Sequence, residues 1–342
     1  MNDRVGGRRM NRGNGVLAWG LGVCALGAAL LATGVGRAAA PDGLRGVWTA
    51  ERSNWRVEKA GNTTIVQLTL RRVGGRGHWD SSHPVPLAEL DGLTSAAMEA
   101  PSAEARFAWK RDAGAFAFEG RFQAGAGAGH FTFTPSPAYV ADMRGRGYGD
   151  IDDEKALSLA IHDVSRAFLG ELAALGYERV PMDKLMALRI HGASAEFIRG
   201  LAGLGYKRLD VDQLVALRIH GASLEFVRDV QGLGFAGLPP DKLVAFRIHG
   251  VSPEFVRAFR GLGYDKLTSD QLVAMRIHGV SPEFVTQLKA LGYPGVGVDA
   301  LVSLRIHGVT TDFIRRVQGR ATGKAVTVDR LVSMRIHGEE PE

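Results

Sequence analysis

The chain has 342 residues, of which 45% are hydrophobic and 23% charged, and its formal net charge is +6. Residues 1–40 hold five arginines and one aspartate, so the remainder carries 37 basic against 35 acidic residues. This balance lacks the basic footprint of a nucleic-acid binder, and we expect no nucleic-acid partner. The only cysteine, Cys24, lies in this first segment, which excludes disulfides and thiolate metal sites from the rest of the chain.

The first 40 residues predict an export signal. Arginines between positions 4 and 12 are followed by an apolar stretch over residues 16–35 and by small residues up to position 40. Because the apolar stretch is 20 residues long, an uncleaved anchor that crosses the membrane is an open alternative to cleavage. We therefore expect an exported protein, periplasmic or anchored to the inner membrane by residues 16–35, with no other membrane contact.

Residues 41–135 predict a small antiparallel β domain. Apolar residues alternate with polar ones at Val66, Leu68 and Leu70. Aromatic residues continue this alternation at Phe107, Trp109, Phe116, Phe118, Phe122, Phe131 and Phe133. The pattern predicts a meander whose aromatic face is buried in a small barrel or sandwich. We expect a polar loop over residues 78–83 and a glycine-alanine loop over residues 123–129.

The tetrapeptide Arg-Ile-His-Gly occurs six times in the second half of the chain. It begins at Arg189, Arg218, Arg247, Arg276, Arg305 and Arg335, and the first five copies are 29 residues apart. A fixed period of this length indicates one supersecondary unit that is stacked repeatedly. We predict a right-handed solenoid of 29-residue αα hairpins over residues 136–338, followed by an acidic tail at 339–342. The predicted fold class is thus α+β and multidomain.

Each unit predicts two short helices. Thr268 and Gln271 have the spacing of a capping box before the first helix, and Gly279 supplies a left-handed residue at its end. Ser281 is positioned to cap the second helix. We therefore assign structural roles to the equivalent serines and glycines of the other units. These are Ser194, Ser223 and Ser252, and Gly192, Gly221, Gly250 and Gly308.

The recurring histidines are His191, His220, His249, His278 and His307. Equivalent residues of stacked helices lie about 8–10 Å apart. Two imidazoles that share a zinc ion need metal bonds of about 2.0–2.1 Å, so histidines of neighbouring units are too far apart. We expect no metal, no cofactor and no catalytic Ser–His pair. The rings should instead hydrogen-bond the last carbonyls of each helix.

Five arginines precede these histidines by two positions, namely Arg189, Arg218, Arg247, Arg276 and Arg305. In one interpretation they link neighbouring units by contacts with carboxylates or carbonyl oxygens. In the other they form a positive stripe that binds an acidic segment of a partner protein. The sequence leaves both interpretations open, and these arginines are the candidate partner-binding residues.

The unit from Asp270 to Phe284 resembles helical repeats of bacterial proteins. Some of those proteins are similar to exported companions or extensions of BlaR1-type antirepressor sensors, which are membrane peptidases. The resemblance covers residues 136–338. Because the chain has neither a His-Glu-x-x-His zinc motif nor the several membrane spans of such a peptidase, the resemblance implies an accessory or scaffold role.

These patterns together predict a non-catalytic protein of the cell envelope that binds a partner protein through its helical-repeat surface. The alternative is a β-barrel carrier that holds a small apolar ligand and uses the solenoid for docking. A cavity lined by Phe107, Trp109, Phe116, Phe118 and Phe131 would favour the carrier. A filled core at the same place would argue against it.

Overall fold

The computed structural model describes residues 43–52, 63–73, 78–320 and 326–339. The predicted export signal and the end of the acidic tail lie outside the described residues. No helix within these ranges is long and apolar enough to cross a membrane. The described chain consists of one antiparallel sheet followed by a series of helices, which is an α+β fold.

The sheet is built from seven strands and is curled into a half-barrel. The strands are β1 Leu44–Arg52, β2 Ile65–Val73, β3 His78–Pro86, β4 Leu90–Asp91, β5 Ala103–Arg111, β6 Gly114–Gln123 and β7 Ala126–Pro135. Their order across the sheet is β3-β2-β1-β7-β6-β5-β4. A 3-10 turn at Leu87–Glu89 and the short helix α1, Ser95–Glu99, lie between β3 and β5. The predicted sandwich is therefore wrong, because these strands form one sheet.

Two meanders make up this sheet. The first contains β1 to β3 and the second β4 to β7, and they join where β1 pairs with β7. In that pairing Leu44 lies opposite Phe133, almost the whole length of the sheet region away along the chain. The predicted single meander did not include this contact, since alternation within a strand carries no information about a distant partner.

Both predicted loops are wrong. Residues 78–83 belong to the edge strand β3, which pairs with β2 along its whole length and carries Pro84 and Pro86. An edge strand tolerates polar residues and prolines because one side of its backbone has no partner strand. In the second loop only Ala124 and Gly125 form the turn, and β7 begins at Ala126.

The aromatic residues of the sheet pack against one another. Phe107 stacks on Phe118 with ring centroids 4.5 Å apart, and Trp48 meets Phe107 edge-on at 5.1 Å. Phe131 lies 6.0 Å from Phe116 and 6.2 Å from Phe118. All five of these residues are at most 5% exposed. The rings thus occupy the centre of the sheet's buried face, which argues against the ligand cavity that the carrier alternative needs.

A series of helices follows the sheet. They are α2 Pro137–Gly145, α3 Asp153–Ile161, α4 Arg166–Ala174, α5 Met182–Ile190, α6 Ala195–Gly203, α7 Val211–Ile219, α8 Leu224–Gly232, α9 Pro240–Ile248, α10 Pro253–Gly261, α11 Ser269–Ile277, α12 Pro282–Ala290, α13 Val298–Ile306, α14 Thr311–Arg320 and α15 Val328–His337. Helix α3 packs against β6 and β7, so the core of the sheet continues into the helices.

The helices fall into two alternating sets. From α5 to α15 each odd-numbered helix packs against the next odd-numbered one, and from α4 to α14 each even-numbered helix packs against the next even-numbered one. In α11 the buried residues are Leu272 and Met275, and in α12 they are Phe284, Val285 and Leu288. A helix of about nine residues is marginal alone in water, so this packing supplies the stability that each helix lacks.

Candidate binding surface

Each odd-numbered helix from α5 to α13 ends in the same turn. In α9 the Val251 N–H donates to the Phe246 carbonyl at 2.7 Å, and the Gly250 N–H donates to the Arg247 carbonyl at 3.3 Å. These two bonds define a Schellman motif, and it requires a left-handed residue at Gly250, whose φ is +69°. The predicted glycines Gly192, Gly221, Gly279 and Gly308 have φ between +67° and +70°.

The predicted serines cap the even-numbered helices. Ser281 Oγ accepts a hydrogen bond from the Phe284 N–H at 3.2 Å. Ser194, Ser223 and Ser252 accept the equivalent bond at 3.1–3.2 Å. Thr268 and Gln271 form the predicted capping box at the start of α11, which confirms that prediction. The serines therefore have the helix-capping contact for which sequence reasoning selected them.

The predicted arginines lie across the junctions between units. Arg218 Nε donates to the His191 carbonyl at 3.2 Å, and its guanidinium carbon lies 5.0 Å above the ring of Phe197. Arg189, Arg247 and Arg276 bond the equivalent carbonyl at 3.0–3.3 Å, and all five predicted arginines cover a phenylalanine ring at 4.8–5.1 Å. Four of these arginines thus satisfy a carbonyl at the end of a helix, and all five make a cation–π contact.

This arrangement is the one that the linking interpretation predicts. Arg189 also bonds the carboxylate of Asp163 at 2.6 Å, and Arg305 Nε is buried without a hydrogen-bond partner among the described residues. The side chains of Arg218, Arg247 and Arg276 keep exposed atoms beside these contacts. Contact of the arginines with a partner protein stays a prediction.

The histidines act through their backbone. The carbonyls of His162, His191, His220 and His249 accept the arginine bonds. The sequence analysis expected the imidazoles of the recurring histidines to bond the last carbonyls of the helix. Among the described residues the rings of His191, His220, His249, His278 and His307 make no such bond, so that expectation is wrong. In the described chain His337 is the motif histidine whose ring makes this contact, with Nδ1 2.9 Å from the Ser333 carbonyl oxygen. A backbone amide of the following turn already bonds a late carbonyl in each of the other helices.

Sequence reasoning missed the isoleucine of the motif. The six isoleucines are 53–55% exposed, although isoleucine is among the residues most often buried. We call them the isoleucine ladder: Ile190, Ile219, Ile248, Ile277, Ile306 and Ile336. The helical period explains their exposure, since Ile277 comes two residues after the buried Met275 and so points about 200° away from it.

Half-buried residues extend the ladder along each helix. A residue three or four positions earlier in a helix lies on the same face as the isoleucine. For Ile277 these residues are Ala274 and Val273, both half-buried. The equivalent pairs, also half-buried, are Met186 and Ala187, Val215 and Ala216, Val244 and Ala245, Val302 and Ser303, and Val332 and Ser333. We call this strip, together with the ladder, the ladder face.

An acidic row borders the ladder face. Seven residues before each isoleucine stands an exposed aspartate, so it lies two turns away on the same face. The six are Asp183, Asp212, Asp241, Asp270, Asp299 and Asp329. Lys184 pairs with Asp212 and Lys242 with Asp270 across neighbouring units, and these hydrogen bonds raise the pKa of both lysines. The face therefore combines apolar ridges with a carboxylate edge.

In the described residues no group of three histidine, cysteine, aspartate or glutamate side chains could hold a metal ion. The ladder face consists mainly of aliphatic side chains and is bordered by carboxylates. Ser333 Oγ lies 3.4 Å from His337 Nδ1, but that ring nitrogen is closer to the Ser333 carbonyl oxygen, at 2.9 Å. The geometry of the face suits the binding of a surface rather than the chemistry of one reacting atom. No family model and no curated protein matches the chain.

Proposed function

We propose that the helical region is an αα solenoid of 29-residue repeats and that its ladder face binds a partner protein without catalysis. Helices α5, α7, α9, α11 and α13 begin at Met182, Val211, Pro240, Ser269 and Val298, each 29 residues after the previous one. Helices that begin at a constant interval, and that pack on the next helix of their own set, are typical of a solenoid.

Repeated hydrogen bonds between units support this architecture. Tyr177, Tyr206 and Tyr264 each donate through the hydroxyl to a backbone carbonyl 32 residues later, at 2.6–2.8 Å. The arginines bond a carbonyl 27 residues earlier in the same regular manner. Neighbouring units are therefore linked by side chains that recur at the same positions, although Phe235 replaces the tyrosine in one unit.

The observation that carries the binding role is the isoleucine ladder. Packed helices lie about 8–10 Å apart, so the ladder presents an aliphatic side chain at each such step over six helices. Large apolar side chains exposed in a regular array mark a surface that a partner covers, because their burial contributes about 25 cal/mol per Å². A lone exposed isoleucine would carry no such implication.

The chemistry of the ladder face indicates which kind of partner it would bind. The apolar ridges fit a protein segment with aliphatic or aromatic side chains at regular spacing, and the aspartate edge fits basic residues beside them. We place this partner in the cell envelope, because the first 40 residues have the pattern of an export signal. The resemblance to companions of antirepressor sensors is consistent with an accessory role there.

The test compares two triple variants of the purified protein as bait for solubilised cell-envelope proteins. One carries Ile219→Ser, Ile248→Ser and Ile277→Ser, which change the exposed ladder. Surface changes cost about 0.5 kcal/mol or less each, so this variant should stay folded. Its matched control carries Arg218→Ala, Arg247→Ala and Arg276→Ala, which remove the contacts between units and cost about 1–2 kcal/mol each.

We expect the isoleucine variant to lose the captured partner while it keeps the wild-type melting temperature. The arginine variant should melt at lower temperature, yet its folded fraction should bind with unchanged affinity. Capture that survives the isoleucine changes would overturn the ladder as the binding face. Self-association of the wild-type protein that the isoleucine changes abolish, measured by sedimentation, would instead assign the face to a second copy. A hydrolytic activity abolished by one histidine substitution would contradict the non-catalytic role.

A further inference from the structure

A separate cleft lies where the sheet meets the first helices. It has a volume of about 580 Å³ and takes its lining from four parts of the chain that are distant in sequence. These are the edge strand β3 with the 3-10 turn that follows it, the end of β5, the end of α3 with the turn after it, and the end of α5. Its polar lining includes Ser81, His83, Glu89, Trp109, Arg111, His162, Asp163 and Arg189.

These side chains form one connected network. Ser81 Oγ lies 2.5 Å from His83 Nε2, and the His83 ring lies 6.0 Å from the ring of His162. Arg111 pairs with Glu89 at 2.9 Å and lies 3.7 Å from Asp163. The network is thus continuous from the edge strand β3 to the helices, and each lining segment contributes a polar group to it.

Two hydrogen-bond donors of the cleft residues have no acceptor. Trp109 Nε1 and Arg111 Nε are buried and lack a partner among the described residues. Trp109 is 1% exposed, and the Arg111 guanidinium carbon lies 4.5 Å from the centroid of its ring, so the two donors belong to stacked groups. A buried donor without an acceptor destabilises the folded state, and an acceptor oxygen from a ligand would remove that cost. Trp48, equally buried in the same sheet, donates to the Glu119 carbonyl at 3.2 Å.

The charges in the cleft indicate which kind of ligand group could supply the missing acceptor. Arg111 and Arg189 are balanced by Glu89 and Asp163. Burial, the neighbouring His162 and Arg111 lower the pKa of His83 to about 4, so its ring is neutral at pH 7. The cleft offers no group of three metal-ligating side chains among the described residues, so a metal cation is not the expected ligand. A doubly charged phosphate would meet the two carboxylates, whereas a singly charged carboxylate brings two acceptor oxygens with less repulsion.

We propose that this cleft binds a carboxylate group, held by Arg111 and by the indole N–H of Trp109. The carboxylate can come from a small organic acid or from the C-terminus of a peptide. Arg189 and Ile190 line the cleft, and Ile190 is also the first member of the isoleucine ladder. The proposal does not depend on the ladder face, since its donors and its ligand are different.

The experiment follows the indole N–H resonances of the ¹⁵N-labelled protein by NMR, with Trp109 assigned from Trp109→Phe. The probes are acetate, inorganic phosphate, and one short apolar peptide prepared with a free or an amidated C-terminus. Trp48 serves as the internal control, because its N–H already has an acceptor. Arg111→Gln removes the guanidinium, and Arg106→Gln makes the same change at an exposed position of the same strand.

We expect acetate or the free-acid peptide to shift the Trp109 resonance saturably while Trp48 stays in place. Arg111→Gln should weaken this binding about tenfold or more, and Arg106→Gln should leave it unchanged. If only the free-acid peptide acts, and its amide does not, the carboxylate is that of a peptide terminus. If acetate acts equally well, it is that of a small acid.

Three results would overturn the proposal. The first is the absence of a saturable Trp109 shift with either carboxylate probe. The second is an equal, unsaturated shift of Trp48, which would indicate an adventitious additive only. The third is saturable binding of phosphate where the carboxylates fail. The wild-type titration decides these outcomes even if Arg111→Gln does not fold. Loss of the partner in the isoleucine variant has no bearing on them.

Discussion

The sheet and the helical series obtain their stability from different kinds of contact. In the sheet, Leu44 lies opposite Phe133, and the Trp48 indole donates to the Glu119 carbonyl, so elements far apart in sequence depend on each other. In the helical series the side-chain contacts join residues about one unit apart, such as Arg276 Nε and the His249 carbonyl. We therefore expect a substitution in the sheet to destabilise the whole sheet, and a change in one helix to destabilise mainly the neighbouring units.

The largest effect is expected from Trp48→Ala in the sheet. This side chain is 1% exposed and contacts the rings of Phe107, Phe118 and Phe122. Its truncation should lower the free energy of unfolding by about 3–5 kcal/mol, measured by urea titration of the β-sheet circular dichroism. Trp79→Ala, on the edge strand β3 where the side chain is half-buried, is the control and should cost much less. Similar costs at both positions would contradict a centrally packed sheet.

Deletion of one whole unit from the helical series should destabilise the protein less than Trp48→Ala does. Deletion of residues 251–279 removes the segment from Val251 to Gly279 and preserves the spacing of the remaining motifs. Because each helix packs on the next of its own set, α9 can meet α13 in place of α11. We expect a folded, shorter protein with a lower melting temperature, measured by far-ultraviolet circular dichroism. Loss of helical signal throughout the chain would show that the helices depend on long-range contacts.

Local features could be predicted from the sequence. The strand around Leu68, the capping box of Thr268 and Gln271, and the left-handed Gly250 depend on residues within a few positions of each other. The exposure of the ladder was also accessible, since the angle between Met275 and Ile277 on a helix follows from their spacing alone. The sequence analysis nevertheless did not single out Ile277.

Features that depend on distant partners could not be predicted. Alternation at Leu44 does not identify β7 as its neighbour, and a polar sequence such as residues 78–83 forms a strand only because β2 supplies its hydrogen bonds. The cleft combines His83, Arg111 and His162, and no spacing in the sequence connects those three positions. The arginines could be assigned to the junctions only after the fold placed Phe255 beneath Arg276.

Acid should weaken the junction between sheet and helices. Burial, with His162 and Arg111 nearby, lowers the pKa of His83 to about 4 from 6.5, and burial also lowers the pKa of His162. Between pH 6.5 and about pH 4 the unfolded chain binds a proton at His83 that the folded chain does not bind. The free energy of unfolding should therefore fall as the pH is lowered across this interval.

The variant His83→Gln isolates this contribution. At pH 8 its loss of stability measures the packing and the contact with Ser81, because the wild-type ring is neutral in both states. At pH 5 the wild type also bears the cost of keeping His83 neutral, so the gap between the two proteins should narrow. Urea titrations at both pH values give this gap, and a constant or wider gap would argue against the lowered pKa.

The packing of Arg276 against the end of α9 should be measurable by substitution of Gly250. Gly250 has φ of +69°, and a Cβ atom there would lie 2.6 Å from a terminal nitrogen of Arg276. Gly237, in the turn between α8 and α9, has φ of +70°, and nothing lies within 4 Å of its Cβ position. The two sites therefore share the same backbone strain, about 1 kcal/mol for alanine, and differ in the arginine contact. Gly250→Ala should cost more than Gly237→Ala in thermal unfolding, and equal costs would mean that Arg276 moves aside freely.

The smallest effect should come from one helix cap. Ser281→Ala removes the oxygen that accepts from the Phe284 N–H at 3.2 Å, which should cost about 1 kcal/mol because that N–H has no carbonyl partner in the first turn. Ser269 is the control, since it is the first residue of α11 and Thr268 already caps that helix. Ser269→Ala should change the free energy of unfolding, measured by urea titration, by a few tenths of a kcal/mol or less. An equal loss at both serines would mean that the serine side chains stabilise the helices by something other than capping.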